Sequence, residues 1–354
     1  MIDSLPEPTL SAVITCYQDE PAIRPMYTRL TAVFAALGVN YEIIFVNDGS
    51  PDDAASILGE LTAQDDHVLA IEHSRNFGSQ NAFISGMQLA QGDAVILLDG
   101  DLQDPPELIP EFYAKWREGY DVVYGRRKKR EGSPGFAFLA GSFYRIFRAV
   151  SDVPMPLDAG DFALMGRKVV DALLAFPETD QFLRGLRAWV GFKQVGVDYV
   201  RPRRAFGRST HGFLRSVWWA RKAIFSFTFL PIELLGYAAA MMTALSVIAL
   251  VYQGIDTLLH PEVPLGISTV ILLIAFLGSL QLLAIAIVGE YVIKILEEAK
   301  QRPQFIRKAI QYGGARLTAP AEIHSFVQGR WRNPAALRAP GAQPGEGGGE
   351  LDGS

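Results

Sequence analysis

Two carboxylates, Asp99 and Asp101, stand two residues apart directly after an apolar run over Ala94 to Leu98. The run predicts a buried β-strand, which Pro105 and Pro106 prevent from continuing. Side chains two apart on an extended chain point the same way, so these like charges lie side by side unless a cation shares them. Hard oxygen ligands suit Mg²⁺ or Mn²⁺, and such an ion commonly also holds substrate phosphates. The stretch therefore indicates either a metal–diphosphate site or a solvated acidic turn.

Strand and helix patterns alternate through the first half, which predicts an α/β domain with a mainly parallel sheet covered on both faces. Predicted strands cover 11–16, 41–46, 68–72, 94–98 and 121–125, and predicted helices cover 23–37, 53–63, 79–90 and 106–117. Gly38 is placed to end the first helix, and Ser50 with Asp53 to cap the second. Ligands of such sheets bind at the carboxyl ends of strands. Four polar residues follow such ends and favour a site there: Asp48, Arg75, Asp99 and Asp101.

Basic and acidic segments follow this first half. The run Arg126 to Arg130 is either a solvated loop or a clamp for phosphates or lipid head groups. The stretch 154–162, which contains Asp161, is expected to be irregular. Strands over 163–165 and 195–200 and helices over 168–176 and 181–189 come next. A second basic turn flanks Gly207 and contains Arg201, Arg203, Arg204 and Arg208.

Two long uncharged segments dominate the C-terminal half: 22 residues over 234–255 and 27 residues over 263–289. At about 1.5 Å per residue each is long enough to cross a hydrocarbon core of about 30 Å. Lys and Arg are absent from the short connection and present on both outer flanks, which predicts cytoplasmic termini. The segment 212–229 carries Trp and Phe among basic residues, which is typical of a helix in the membrane interface or of an ordinary surface helix.

The predicted organisation is a chain of six segments. They are a cytoplasmic catalytic domain (1–208), an amphipathic interfacial region (209–230), two transmembrane helices (231–256 and 264–293), a cytoplasmic juxtamembrane segment (294–332) and a disordered tail (333–354). A net charge of −5 argues against a nucleic-acid partner. The single cysteine, Cys16, excludes an intrachain disulfide and is expected to be a buried, inert thiol.

In order along the chain, the motifs resemble those of polyprenyl-phosphate glycosyltransferases of glycosyltransferase family 2, of the undecaprenyl-phosphate glucosyltransferase and dolichol-phosphate mannose synthase type. The resemblance runs from about Ser11 to Arg307 and is closest to the two-span bacterial type. Its landmarks are Val46-Asn-Asp-Gly-Ser50, Ser74-Arg-Asn-Phe-Gly78, Leu98-Asp-Gly-Asp-Leu-Gln-Asp-Pro-Pro-Glu107, Trp116 to Asp121, Gly160-Asp-Phe162 and Gly289-Glu-Tyr291.

The resemblance implies a catalytic domain of the nucleotide-diphosphosugar (GT-A) type in the bacterial cytoplasmic membrane. Its donor is a nucleotide-diphosphate sugar, with UDP-glucose as the best match, and its acceptor is the phosphate of a polyprenol. Mannose, galactose, N-acetylglucosamine and a modified arabinose stay open, and a homotetramer is implied. The implied site residues are Tyr17, Glu20, Asp48, Arg75 and Asp99 for the nucleotide, Asp99, Asp101 and Gln103 for Mg²⁺ or Mn²⁺, Asp161 in the base position, and Arg126, Arg127, Arg204 and Ser209 for the acceptor phosphate.

Two departures from the family pattern stand out. The first loop usually reads Pro-x-Tyr-Asn-Glu but here reads Thr15-Cys-Tyr-Gln-Asp-Glu20. The turn after Gly207 lacks the usual lysine, since Thr210 and His211 follow Ser209. A phosphate monoester has a second pKa of about 6, so the acceptor is mostly a dianion near neutral pH and needs little deprotonation. We therefore expect Asp161 mainly to position the sugar or the nucleophile.

Three other functions compete with this one. A processive polysaccharide synthase shares the catalytic fold but carries a Gln-x-x-Arg-Trp signature, whereas Gly185 follows Arg184 here. A transporter would be expected to place ionisable residues within its spans, and 234–255 and 263–289 contain none. A non-catalytic membrane scaffold is disfavoured by the intact acidic stretch.

Overall fold

The computed structural model describes residues 10–127, 159–178, 181–201, 230–259 and 267–330. The strands are β1 (Leu10–Cys16), β2 (Tyr41–Asn47), β3 (Val68–His73), β4 (Ala94–Asp99), β5 (Val122–Arg127), β6 (Ala159–Gly166), β7 (Gln194–Tyr199), β8 (Arg307–Tyr312) and β9 (Ala315–Leu317). The helices are α1 (Glu20–Leu37), α2 (Ala54–Gln64), α3 (Ser79–Met87), α4 (Ile109–Arg117), α5 (Arg167–Leu174), α6 (Leu183–Trp189), α7 (Leu230–Leu259), α8 (Ile267–Ala299) and α9 (Pro320–Arg330), with a 3₁₀ turn at Pro106–Leu108.

All nine of these strands form one sheet in the order β7-β5-β6-β4-β1-β2-β3-β8-β9. Strands β4, β1, β2 and β3 are parallel, as is the β5–β7 pair. Strand β6 runs antiparallel to β4 and β5, and β8 runs antiparallel to β3 and β9. The sheet is therefore mixed, and the expectation of a mainly parallel sheet is wrong. The reason is local, because every antiparallel pairing among these strands involves β6 or β8, and both begin in segments that were not expected to form strands.

Both faces of the sheet are buried, as the alternation of strands and helices predicts. Along β1, Ala12 and Ile14 face the helices α1 and α2, whereas Val13 faces α3, because successive side chains of a strand point to opposite faces. Helix α1 buries an apolar stripe at helical spacing against the first face: Ile23, Met26, Leu30 and Phe34. It ends at Gly38, which takes the left-handed conformation (φ 64°) predicted for it. The thiol of Cys16 is buried in β1, and burial raises its pKa well above the usual value, which fits an inert thiol.

The chain divides into two compact units. One contains the sheet and its helices, including β8, β9 and α9 from 303–330, and the other contains α7 and α8. By length and composition, one stretch of the described residues, Phe276–Ala299 with a mean hydropathy of 1.9, is apolar enough to cross a membrane. The span predicted over 231–256 coincides with α7, a helix of 30 residues, and its crossing of a membrane stays a prediction. The interfacial helix and the tail after 332 lie outside the described residues.

Candidate active site

Strand β4 ends at Asp99, and the chain then turns sharply past β1. The backbone N–H of Gly100 donates to the carbonyl oxygen of Thr15 over 2.9 Å. A Cβ atom at position 100 would lie 2.6 Å from that same oxygen, so the turn requires glycine between the two carboxylates. Leu102 continues the turn with a φ of 60°, a left-handed conformation that is strained for leucine.

A third carboxylate, Asp104, holds this acidic loop together. It is fully buried, its Oδ1 accepts a hydrogen bond from the hydroxyl of Tyr199 over 2.9 Å, and its Oδ2 accepts one from the N–H of Asp99 over 3.3 Å. Asp101, which is 4 % exposed, accepts the N–H of Gln103 through Oδ1. Sequence reasoning missed Asp104. The signal available was its place in the same short acidic loop, just before Pro105.

Negative charge is concentrated at the end of β4. Burial raises the pKa of Asp99 well above its usual value, and the neighbouring carboxylates Asp104, Asp161 and Asp101 raise it further. The guanidinium of Arg201 opposes this effect, since its Nη2 lies 3.5 Å from Oδ2 of Asp99 and 3.9 Å from Oδ2 of Asp101. One cationic group therefore already reaches both carboxylates of the pair.

The donor set fits a hard divalent cation that a substrate helps to hold. Asp99 and Asp101 converge on one positive group, and the raised pKa of Asp99 shows that the cluster favours additional positive charge. No group of three His, Cys, Asp or Glu residues within the described ranges has the geometry of a complete metal site. Two carboxylates with further oxygens from Gln103 and a diphosphate are the arrangement that a Mg²⁺-type ion accepts.

Asp161 lies on β6, beside the acidic loop. Ala159 pairs with Arg126 of β5, so the end of the segment expected to be irregular belongs to a strand, and the register with β5 shifts between Ala159 and Ala163. The Nε atom of Arg184 lies 3.4 Å from Oδ1 of Asp161. Arg187 is buried, and its Nη2 donates to the carbonyl oxygen of Gly160, the residue before Asp161, over 3.1 Å. Burial lowers the pKa of Arg187 to about 10.

Two of the residues proposed for the acceptor, Arg126 and Arg127, end strand β5 and have different surroundings. Arg126 is exposed and ion-paired with Asp198, its register partner on β7. Its neighbour Arg127 is partly buried, and its Nε donates to the Tyr199 hydroxyl over 3.3 Å. A Cβ atom at Gly160 would lie 2.8 Å from Nη2 of Arg127, so this guanidinium lies against the strand that carries Asp161. Arg127 therefore belongs with the acidic site and Arg126 lies apart from it, whereas Arg204 and Ser209 lie outside the described residues.

The loops after β1 and β2 bind each other at the same end of the sheet. The N–H of Glu20 donates to Oδ2 of Asp52 over 3.2 Å, and Oε2 of Glu20 accepts the N–H of Asp53 over 3.3 Å. The hydroxyl of Ser50 accepts the N–H of Gln18 over 2.8 Å. The capping box expected for α2 is therefore wrong, because Ser50 serves the neighbouring loop instead of the helix. Tyr17 is 39 % exposed at this edge.

Asp48 lies at the end of β2 and is almost completely enclosed. Its Oδ1 accepts the N–H of Phe77 over 2.9 Å and lies 2.9 Å from Nδ1 of His73, and its Oδ2 accepts the N–H of Gly78 over 2.8 Å. Its carboxylate therefore fixes the turn that opens α3. Arg75, on the same turn, is exposed and its guanidinium lies 4.3 Å from the ring centroid of Phe77.

The mixed sheet, with paired carboxylates at the end of its central strand β4, has the fold of the GT-A type. The model of the family "Glycosyl transferase family 2" matches residues 11–174. The chain belongs to glycosyltransferase family 2 and is a glycosyltransferase.

Its similarity to curated relatives extends well beyond the catalytic segment. It is 40 % identical over 297 residues to an uncharacterized glycosyltransferase, YkcC, of Bacillus subtilis, covering 84 % of this chain and 92 % of that one. It is 34 % identical over 300 residues to the bactoprenol glucosyl transferase of Shigella phage SfV, covering 84 % of this chain and 98 % of that one. Among solved structures, glucosyl-3-phosphoglycerate synthase from Mycobacterium tuberculosis aligns with 61 % of this chain and 77 % of its own at 20 % identity and a TM-score of 0.41.

Proposed function

We propose that this glycosyltransferase moves glucose from UDP-glucose to the phosphate of a membrane polyprenol such as undecaprenyl phosphate. The observation that carries the proposal is the convergence of Asp99 and Asp101 on one cationic group, beside Asp161, in a chain with bactoprenol glucosyl transferase relatives. Such relatives support both the sugar and the lipid acceptor. A carboxylate pair that needs a cation supports a diphosphate donor.

Asp99, Asp101 and Gln103 are the residues that would hold Mg²⁺ or Mn²⁺ with the donor. A divalent ion bound there supplies positive charge that stabilises the leaving diphosphate. Arg201 adds a guanidinium at the same place, where its single positive charge offsets part of the negative charge of the two carboxylates. Asp104 and Tyr199 keep the loop in shape, because both oxygens of the buried carboxylate are hydrogen-bonded.

Tyr17, Glu20, Asp48 and Arg75 form the end of the site that we assign to the nucleotide. The exposed ring of Tyr17 and the exposed guanidinium of Arg75 are available for contact with a base and phosphates. Asp48 and Glu20 act on the shape of this end, since both accept backbone hydrogen bonds that fix its loops.

The acceptor phosphate is assigned to the basic residues around Asp161. Arg127 lies against Gly160 and Arg184 lies within 3.4 Å of Asp161, so positive charge surrounds this carboxylate. The proposed acceptor set also includes Arg204, Ser209 and Arg126, which lies apart from Asp161 and is ion-paired with Asp198. A dianionic phosphate attacks the anomeric carbon without losing a proton, so Asp161 positions the sugar or the nucleophile. Direct displacement predicts a β-linked product from an α-linked donor.

The lipid acceptor places the enzyme at a membrane. We assign both α7 and α8 as transmembrane helices of the bacterial cytoplasmic membrane, with the catalytic domain and both termini in the cytoplasm and a homotetramer as the assembly. The long apolar stretch Phe276–Ala299 supports the anchor, and the basic flanks support the orientation.

The direct test is incubation of the purified protein with undecaprenyl phosphate, Mg²⁺ or Mn²⁺ and a panel of nucleotide sugars. We expect the mass of the lipid product to show one added hexose from UDP-glucose, and this transfer to stop when the metal is chelated. Transfer from another sugar nucleotide alone would correct the donor. Release of free sugar with no lipid product from any donor would contradict the acceptor.

A further inference from the structure

The segment that follows α8 returns to the edge of the sheet next to the nucleotide end of the site. Strand β8 lies antiparallel to β3, with His73 in register with Arg307. The N–H of Ser74 donates to the carbonyl oxygen of Ile306 over 3.0 Å. The family match ends at residue 174, so this segment lies well beyond the part of the chain that the family description covers.

An aromatic ring of this segment packs directly on His73. The rings of Phe305 and His73 are stacked, with centroids 5.3 Å apart and an interplanar angle of 7°. Phe77 packs edge-on to His73 at 5.7 Å. The imidazole, which is 1 % exposed, is therefore held by one ring of the C-terminal segment and one ring of the loop before α3.

The hydrogen bond between His73 and Asp48 fixes the orientation of the imidazole ring. The carboxylate of Asp48 can only accept, so Nδ1 of His73 carries the hydrogen that joins them over 2.9 Å. The other ring nitrogen, Nε2, is buried without a hydrogen-bond partner in the described part of the chain. The contact with Asp48 is thus the one polar contact that the structure describes for this imidazole, and rotation of the ring would break it.

We propose that Phe305 is a positioning residue for the nucleotide end of the active site. By holding His73 against Asp48, it fixes the carboxylate that in turn holds the amides of Phe77 and Gly78 and the exposed Arg75 next to them. The inference deepens the proposed function and rests on it for the identity of the ligand. The contacts run from the ring of Phe305 to His73, from His73 to Asp48, and from Asp48 to the backbone amides of the loop before α3.

Arg307, the first residue of β8, lies two residues after Phe305 and packs against its ring. Its guanidinium lies 4.8 Å from the centroid of the Phe305 ring. It also donates to the hydroxyl and carbonyl oxygens of Ser85 over 3.1 and 3.0 Å, and to Oε1 of Gln88 over 2.8 Å. The ring is therefore packed beside a cation that is itself bound to the region of α3.

The test compares three variants of the full-length protein in detergent: Phe305→Ala, Phe305→Tyr and Phe326→Ala. Phe326 is the matched control, because it is also a C-terminal phenylalanine packed on an aromatic ring, that of Tyr312, and does not contact His73. With UDP and Mn²⁺ as the probe in calorimetry, we expect Phe305→Ala to raise the Kd about tenfold, equivalent to about 1.4 kcal/mol. Phe305→Tyr keeps the stacked ring and should stay within about twofold of the wild type, as should Phe326→Ala.

Hydrogen exchange without any nucleotide gives a second, independent reading. We expect the amides of Phe77 and Gly78 to exchange about tenfold faster in Phe305→Ala than in the wild type or in Phe326→Ala. Equal effects of the two alanine variants, or unchanged exchange at these amides, would overturn the positioning role. If the wild type binds no UDP but the exchange difference appears, the proposed donor is wrong and the positioning role stands.

Discussion

The hydroxyl of Tyr199 lies 2.9 Å from Oδ1 of Asp104, and it accepts a hydrogen bond from Nε of Arg127 at 3.3 Å. Tyr199 and Arg127 are register partners on β7 and β5, whereas Asp104 belongs to the acidic loop after β4. A single hydroxyl therefore joins the loop that carries the proposed metal ligands to the strand that carries a proposed acceptor ligand. Burial and the charge of Asp104 raise the pKa of Tyr199, so it stays a neutral hydrogen-bond donor throughout the working pH range.

Tyr199→Phe should damage both stability and turnover. The substitution leaves a fully buried carboxylate oxygen of Asp104 without its donor, which costs about 1–3 kcal/mol. The thermal unfolding midpoint should fall, and kcat should fall because Asp99 and Arg127 lose a shared anchor. Tyr113→Phe, in α4, is the matched control because it removes a hydroxyl from a ring packed on Trp116, away from the loop. Equal losses in the two variants would show that the hydroxyl has no special role.

Asp99→Asn should stabilise the protein while it abolishes transfer. The pKa of Asp99 is raised in the folded state, so its ionised form opposes folding at neutral pH. That penalty disappears as the pH falls from the raised folded value toward the ordinary value of 3.8. At about pH 7.5 we therefore expect a higher unfolding midpoint for the variant, by about 2–4 °C for each kcal/mol gained, in metal-free buffer.

The stability difference between Asp99→Asn and the wild type has a pH profile that checks its origin. It should shrink steadily as the scan is repeated toward about pH 4, where Asp99 becomes protonated in the wild type as well. UDP with Mn²⁺ should raise the midpoint of the wild type and leave that of the variant unchanged. A variant that is less stable than the wild type at neutral pH would contradict the charge argument.

Much of the central sheet was predictable because its signals are local. Strands β1 to β4 are short apolar runs bounded by turn residues, and their predicted bounds agree with the structure to within one residue at either end. Strand β6 was underestimated because Gly160 and Asp161 read as a loop, although the strand already begins at Ala159, which pairs with Arg126 of β5. Strand β8 was missed because it follows the long apolar helix by only a few residues, and its partner, β3, lies more than 230 residues earlier.

The charged residues at the centre of the site were predictable from the sequence, whereas the residues that hold them in place were much less so. The charge and spacing of Asp99 and Asp101 identify them as candidate site residues, and the basic run identifies Arg127. Their neighbours do not, since the contact of Tyr199 with Asp104 joins residues 95 apart in sequence. The burial of Asp48 among backbone amides was also invisible, because an aspartate after a strand reads equally well as a ligand or as a structural acceptor.

Asp101→Asn should abolish transfer without affecting membrane insertion. Asp101 is buried in the acidic loop and shares Arg201 with Asp99, so loss of its charge removes one of the two proposed metal-binding carboxylates. Lipid-product formation and membrane fractionation of the same preparation separate the two effects. Asp93→Asn, an exposed residue just before β4, is the matched control and should keep full activity. Loss of insertion by Asp101→Asn alone would return the motif to a structural role.

Asp161→Asn distinguishes a positioning group from a general base. If Asp161 positions the sugar or the nucleophile, the activity lost by the variant should be similar at about pH 6 and at about pH 8.5, because the amide makes the same incomplete contacts at both. If it removes a proton, activity should be lost at about pH 6, where much of the acceptor phosphate is a monoanion, and recover at about pH 8.5, where it is a dianion. We expect the first pattern, because Arg184 lies 3.4 Å from Asp161 and so pairs its carboxylate with a positive charge. The measurement is kcat for lipid-product formation across this range, with the wild type as the reference at each pH.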